Sequence, residues 1–289
     1  MVRQPLDRWE LAFLMYVGRH LPKVPHASGV VNRLLKPLYL RRARGLVTCD
    51  VLGRRMELDP AEAVDGNLIF CPQLYDAAEI RFLLSHLSDA DIFVDIGSHK
   101  GFYSLMASRR ITTGRILAVE ADPQTFASLC RNIELNDLPI SAVQCGVSDG
   151  EEILPLNVQV SGNRSGSSFL GRSELQVAVL CRPLATIVAE AGLSTITCMK
   201  LDIEGFEHKV LKGFFEQAEP DLYPRYIITE FHPDASVRTG DLLGLLTARE
   251  YEEVLGTGLN RIFCRRDQAA DHEVSRLRAS SSVARDSGV

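Results

Sequence analysis

The sequence predicts an α/β fold on a mostly parallel sheet, and three observations carry that prediction. Residues 91–104 order a strand, a glycine turn and a helix. Arg115–Val119 begins a second strand that ends on an acidic residue. Strand and helix patterns then alternate as far as Arg249, interrupted over residues 151–181.

Ile92, Phe93, Val94 and Ile96 form the short apolar run of a strand buried on both faces. The run breaks at Gly97. Gly101 follows, and Leu105, Met106 and Ala107 then lead to Arg109 and Arg110, which suit the end of a short helix. Asp95 lies just inside the strand's C-terminal end. Open α/β sheets bind ligands there, because the turn leaves backbone N–H groups and a helix N-terminus facing the crevice. The spacing G-x-x-x-G, with Ser98, His99 and Lys100 between, departs from the G-x-G-x-x-G of dinucleotide sites and suits a ligand without a pyrophosphate. Glu120 follows Gly101 by 19 residues. That is close to the ~20-residue offset at which an acidic residue on the second strand meets ribose hydroxyls.

These residues carry a family resemblance. Val94 to Ser104 and Ala118 to Pro123 resemble the first two motifs of class I S-adenosylmethionine-dependent methyltransferases. Met199 to Glu207, followed by Val210-Leu211-Lys212-Gly213, resembles the K-x-D-x-E-G signature of the FkbM-type subgroup. The resemblance spans roughly residues 45 to 265, with the motifs in order. It implies a Rossmann-like sheet of seven mostly parallel strands closed by an antiparallel C-terminal hairpin. It also implies S-adenosylmethionine as cofactor, with Asp95, Gly97, Ser98, His99, Gly101, Glu120 and Asp149 around it. One departure stands out: the subgroup usually has Ala-Asn where this chain has Ser98-His99. Asp149 is expected beside the adenine, with a surface Asp-Gly turn as the alternative.

At 289 residues, 46% hydrophobic and 24% charged, the chain suits one large domain with a small extension. A net charge of −5 argues against a general nucleic-acid binder. The charge is uneven. Residues 1–44 hold nine Lys/Arg against Asp7 and Glu10, a net of +7, which leaves −12 for the rest. The boundaries expected are a basic helical extension over 1–44, a methyltransferase domain over 45–266 and a disordered tail over 267–289. The extension, interrupted by Pro22, Pro25 and Pro37, reads either as a solvated cover over the core or as a surface for a membrane, an acidic substrate or a partner. Seven scattered cysteines without C-x-x-C spacing read as reduced core thiols, which with the absence of a signal-peptide pattern predicts a cytoplasmic protein. Leu11–Val17 is apolar but too short to span a bilayer.

Taken in order, Leu46–Leu58 predicts a hairpin turning at Gly53-Arg54-Arg55, and Ile80, Leu83, Leu84 and Leu87 have helical spacing. Asp122 and Pro123 predict an N-cap and first turn, for a helix carrying Phe126, Leu129, Cys130 and Ile133. Ser141–Val147 reads as a third strand. Glu152–Val158 and Glu174–Cys181 read as extended, around a polar stretch whose Asn163, Arg164 and Ser167 are candidate substrate contacts by the resemblance. Leu184–Ala191 is a predicted helix, Thr195–Glu204 a fourth strand and Tyr226–His232 a fifth. Leu242–Arg249 is the last helix, before an antiparallel pair, Tyr251–Leu255 and Arg261–Arg265.

In the fourth strand Lys200, Asp202 and Glu204 alternate with apolar residues, so period two puts the charges on one side, a costly row unless paired or functional. With Glu230 and His232 they form a candidate catalytic set. His232 would serve as base and Glu230 or Asp202 would orient it; alternatively Asp202, Glu204, Glu230 and His232 would hold a divalent metal. The expected acceptor is a hydroxyl of a sugar, glycan or small natural product. Two other classes are weighed: a non-catalytic binding module of the same fold, and a nucleotide-dependent oxidoreductase, which would need the missing third glycine.

Overall fold

The computed structural model describes residues 8–20, 33, 36–40, 45–158, 167–170, 175–231, 240–258 and 260–266. Its N-terminal elements are helices α1 (Arg8–Arg19) and α2 (Lys36–Leu40), then a hairpin of β1 (Val47–Val51) and β2 (Arg54–Leu58). Helices α3 (Ala63–Phe70) and α4 (Ala77–His86) lead into β3 (Ile92–Ile96), α5 (Phe102–Ala107), β4 (Arg115–Glu120), α6 (Pro123–Glu134) and β5 (Ile140–Gln144). Strands β6 (Gly146–Ser148), β7 (Glu152–Val158) and β8 (Leu175–Pro183) follow. The second half adds α7 (Leu184–Glu190), β9 (Cys198–Leu201), α8 (Glu207–Gln217), β10 (Tyr226–Glu230), α9 (Leu242–Ala248), β11 (Tyr251–Thr257) and β12 (Asn260–Arg265).

Seven strands form the main sheet in the order β11-β12-β10-β9-β3-β4-β5. All pairs from β10 to β5 are parallel, and β12 runs against both its neighbours. The central strand β3 is followed outward on one side by β4 and β5, and the chain then returns to β9 on its other side. The strand order thus reverses beside β3, and ligand crevices of open α/β sheets lie at such points.

Alternation along each strand separates two apolar layers. Phe93, Ile116, Ala118, Cys198 and Ile228 face one core with α4, α5 and α6. Val94, Leu117, Met199 and Ile227 face the other with α7, α8 and α9. Each fully buried Leu, Ile or Phe of these layers contributes about 1.5–3 kcal/mol of hydrophobic stabilisation. Five of the seven free cysteines are buried, and burial pushes the Cys71 and Cys145 thiols up to about 11.

Several elements differ from expectation. The first hairpin turns at Leu52-Gly53, one residue early. Both residues have positive φ, which lets a two-residue loop follow the strand twist. Pro37 does not interrupt a helix but sits in the first turn of α2, where its missing N–H costs nothing. Residues 141–147 are not one strand: β5 ends at Gln144 in the main sheet, and β6 begins at Gly146 in a separate sheet of order β6-β8-β7. The fourth strand ends at Leu201, so Asp202 and Glu204 lie beyond it. The expected tail at 267–289 lies outside the described residues.

The N-terminal hairpin is tied to the central turn by one side chain. Asn132 is fully buried on α6, its Oδ1 accepts from Glu57 N (2.7 Å) and its Nδ2 donates to Lys100 O (2.9 Å). Truncation leaves two backbone groups unpaired at about 1–3 kcal/mol each. Asn132→Ala is therefore expected to cost about 2–6 kcal/mol, read from the urea midpoint at unchanged slope. Asn136→Ala, which removes bonds to Arg55 at the exposed edge, should cost less, and a larger effect at 136 would contradict this account.

Candidate functional site

A cleft with about 980 Å³ of empty space, open to solvent, lies over the tips of β3, β4 and β9. One wall comes from the turn after β3 (Gly97, Ser98, His99 and Lys100) and from Val119, Glu120 and Ala121. Gly146, Val147, Leu156 and Phe169 close the far side. Tyr75, Tyr103, Lys200, Asp202 and Glu204 line the remainder, with Val64 and Leu68 of α3.

The turn is fixed by backbone bonds. The N–H groups of Gly97 and Ser98 both donate to Val119 O at 3.0 Å, and Asp202 N donates to Ile96 O at 3.1 Å. Gly97 has φ +72, and a Cβ there would stand 2.0 Å from Asp202 O, so only glycine fits. His99 has φ 50, and histidine, like asparagine, is enriched in that left-handed region. Glu204 lies at φ 53 in the turn after β9. Non-glycine residues so held cost on the order of 1–3 kcal/mol each and concentrate at functional sites.

Glu120 is partly exposed on the cleft wall. Its Oε2 accepts from His99 N (2.8 Å) and its Oε1 from Asp122 N (2.9 Å). Burial lifts its carboxyl to about 7, against the lowering effect of these N–H donors. His99 is pushed down to about 3 by burial and then by Lys100, so its imidazole stays neutral. His99 Nε2 and Thr125 Oγ1 are buried without a hydrogen-bond partner among the described residues, and both residues line this wall. A carboxylate at the second strand's tip, two unpaired polar atoms and the apolar side formed by Val147, Leu156 and Phe169 fit an adenosyl group.

The other half of the cleft carries charge. Lys200 is buried, 3.1 Å from Asp202 and 4.8 Å above the Tyr103 ring. Burial alone would lower its pKa, but Asp202 and Asp95 more than offset this and hold it above the ordinary value. Burial likewise works to raise Asp202, yet Lys200 wins and keeps its carboxyl below the usual range. Asp95, wholly buried and raised by burial, accepts from Ser104 N (3.1 Å) and Oγ (2.6 Å). Carboxylate oxygens of Asp202, Glu204 and Glu230 all lie within 4.8 Å of one another.

The structure therefore brings together Asp202, Glu204 and Glu230, and puts Gly97, Ser98, His99 and Glu120 in the lining of the same cleft, beside Asp202 and Glu204. Asp95 lies beneath that wall, bonding the helix start, and Gly101 begins α5. Ser167 lines the cleft, while Asn163, Arg164 and His232 lie outside the described residues. Asp149 does not join the cleft. Its carboxylate turns to Lys209 on α8 at 3.1 Å, because the β6 tip packs against that helix.

Sequence reasoning did not place Tyr75, Asp76 or Tyr103. Tyr103 donates to Asp76 Oδ2 (2.9 Å), and burial raises the Asp76 carboxyl to about 6. It also missed Lys100, buried and paired with Asp65 and with Glu62 (3.4 Å). A lysine inside a glycine turn was the available signal.

The strand order with its single reversed strand, and a cleft at the central strand's tip, define a class I methyltransferase fold. A family model described as the methyltransferase FkbM domain matches residues 95–253, more than half the chain, and the protein belongs to that family. Methyltransferase sdnD of Sordaria araneosa is 29% identical over 182 residues, covering 52% of this chain and 67% of the relative. The 31-O-demethyl-FK506 methyltransferase FkbM of Streptomyces tacrolimicus is 23% identical over 219 residues, 62% of this chain and 82% of the relative. Among solved structures, the methyltransferase FkbM from Methylobacillus flagellatus KT aligns at 17% identity with a TM-score of 0.45. That alignment covers 71% of this chain and 53% of that one.

The Glu120 environment makes ligand binding pH-dependent. Ribose hydroxyls held there would donate to the ionised carboxylate, so such a ligand would select that form, and each pH unit below about 7 would cost tenfold. 5′-Methylthioadenosine, which lacks the amino acid end, should bind about 30-fold more weakly at pH 5.5 than at pH 8. Glu120→Gln should flatten the profile; a flat profile in the unmutated protein would contradict the ribose assignment.

Proposed function

We propose that the protein is an S-adenosylmethionine-dependent O-methyltransferase acting on a hydroxyl of a sugar, glycan or small natural product. One observation carries the reading: the adenosyl-compatible wall and the carboxylates of Asp202 and Glu204 line one cleft, with the Glu230 carboxylate within 4.8 Å of both. The relative whose name gives 31-O-demethyl-FK506 as its substrate methylates an oxygen, which supports a hydroxyl acceptor. Family membership weighs against the oxidoreductase alternative.

S-adenosylmethionine, when bound, supplies an electrophilic methyl on a sulfonium. Glu120 would hold its ribose, His99 and Thr125 would meet its polar groups, and Val147, Leu156 and Phe169 would pack on the adenine. A hydroxyl nucleophile benefits from losing its proton as the new bond forms. Asp202, kept ionised by Lys200, is a weak base but a strong hydrogen-bond acceptor, suited to orienting that hydroxyl. Glu230 bonds to Asp202, and His232 follows two residues later in sequence, where a neutral imidazole would take the proton.

A second reading is favoured by the convergence of three carboxylates: a divalent ion held by Asp202, Glu204 and Glu230 would activate the hydroxyl as a Lewis acid. The two are separable by experiment. With His232 as base, turnover rises through the histidine pKa near ~6.5, EDTA has no effect, and His232→Ala lowers turnover about 10²–10⁴-fold with cofactor affinity unchanged. With the metal, EDTA abolishes turnover and Mg²⁺ or Mn²⁺ restores it. Full activity in both His232→Ala and EDTA-treated protein would contradict both.

A further inference from the structure

The first helix presents an outward aromatic face that the cleft does not use. Helix α1 is held inward along one side. Leu14 and Met15 pack against the core. A Cβ on Gly18 would stand 2.3 Å from Phe70 O, and Gln73 Nε2 donates to Gly18 O at 3.0 Å. Arg19 donates to Ile69 O at 3.3 Å and to Asp50 O. With that side fixed, the opposite side is fixed too. It shows Trp9 (66% exposed), Phe13 (59%) and Tyr16 (60%) to solvent, with the small Ala12 exposed between them. The spacing i, i+3, i+4, i+7 makes these one stripe along the helix.

Single exposed apolar residues are ordinary, but three aromatic rings on one stripe mark an interaction surface. Charge and residue type select the partner. The stripe is embedded in residues 1–44, whose net charge is +7, while the rest of the chain carries −12. Trp and Tyr are the side chains enriched at the membrane–water boundary, and Lys/Arg clusters beside an apolar helix face are attracted to anionic headgroups. At 12 residues, α1 is too short to cross a bilayer, and no helix among the described residues is long and apolar enough to do so. We propose that α1 is an interfacial anchor: its Trp9–Ala12–Phe13–Tyr16 face inserts among the headgroups of an anionic membrane, with the net positive charge of residues 1–44 supplying attraction. Helix α3 holds this anchor through the Ile69 carbonyl and the close approach of Gly18 to Phe70, while lining the cleft with Val64 and Leu68. Anchor and cleft therefore share one helix.

Trp9 is the chain's only tryptophan, so intrinsic fluorescence reports the anchor directly. The full chain is titrated with vesicles of phosphatidylcholine alone and of phosphatidylcholine mixed with phosphatidylglycerol. The expected result is a blue shift and shielding from an aqueous quencher with the anionic vesicles only, reversed by high salt. Phe13→Asp, an exposed position that should leave the fold and S-adenosylhomocysteine binding intact, should weaken vesicle binding by at least about tenfold. An unchanged spectrum with both vesicle types would overturn the proposal, as would an equal response to both. A blue shift that depends on protein concentration without lipid, with doubled mass in light scattering, would overturn it too and assign the face to a second copy.

Discussion

The site depends on a single close contact between two strand tips. Gly97 ends β3 with no side chain, and Asp202 O occupies the space a Cβ would need, 2.0 Å from its ideal position. Because Asp202 N also donates to Ile96 O, the backbone leaving β9 is clamped against the turn leaving β3. The clamp sets the cofactor wall and the carboxylates at a fixed separation. It also explains why the cleft opens here: the sheet order reverses beside β3, and the connections leave in opposite directions.

Buried charge then shapes the chemistry. Asp95 and Lys200 are register partners on adjacent strands, and Lys200 also bonds Asp202. Removing Lys200 would leave both carboxylates without their cation, which is far more costly than leaving a neutral group unpaired. Along the turn after β3 and the tip of β4, burial keeps Glu120 and His99 closer to neutrality. The cleft is thus ionic on one side and near-neutral on the other. Such a division suits a ligand with an apolar ring at one end and a cation near the other.

Much of this was legible because local signals and tertiary needs agreed. The β3 run, its glycine break and the Asp122–Pro123 cap each have one cheap local solution, and Asp122 does accept from Gln124 N at 2.9 Å. The convergence of Asp202, Glu204 and Glu230 followed from parallel strands ending at one edge of the sheet. What was not legible depends on distant partners. No local pattern tells that residues 140–148 change sheets at Cys145. Period two ran on past Leu201 although the turn there places Glu204 in the left-handed region. The two readings of Asp149, beside an adenine or in a surface turn, could not be separated locally, because its partner Lys209 lies 60 residues on in sequence. Asp76 meets Tyr103 only through the packing of α4 on α5.

The central claim is that one cleft holds an adenosyl group on Glu120 and aims its sulfur at the carboxylates beyond β9. A crystal structure with S-adenosylhomocysteine tests this most directly. The account predicts both ribose hydroxyls on the Glu120 carboxylate and the sulfur facing Asp202, Glu204 and Glu230. A ribose bound away from Glu120, or a sulfur pointing away from those three residues, would contradict it.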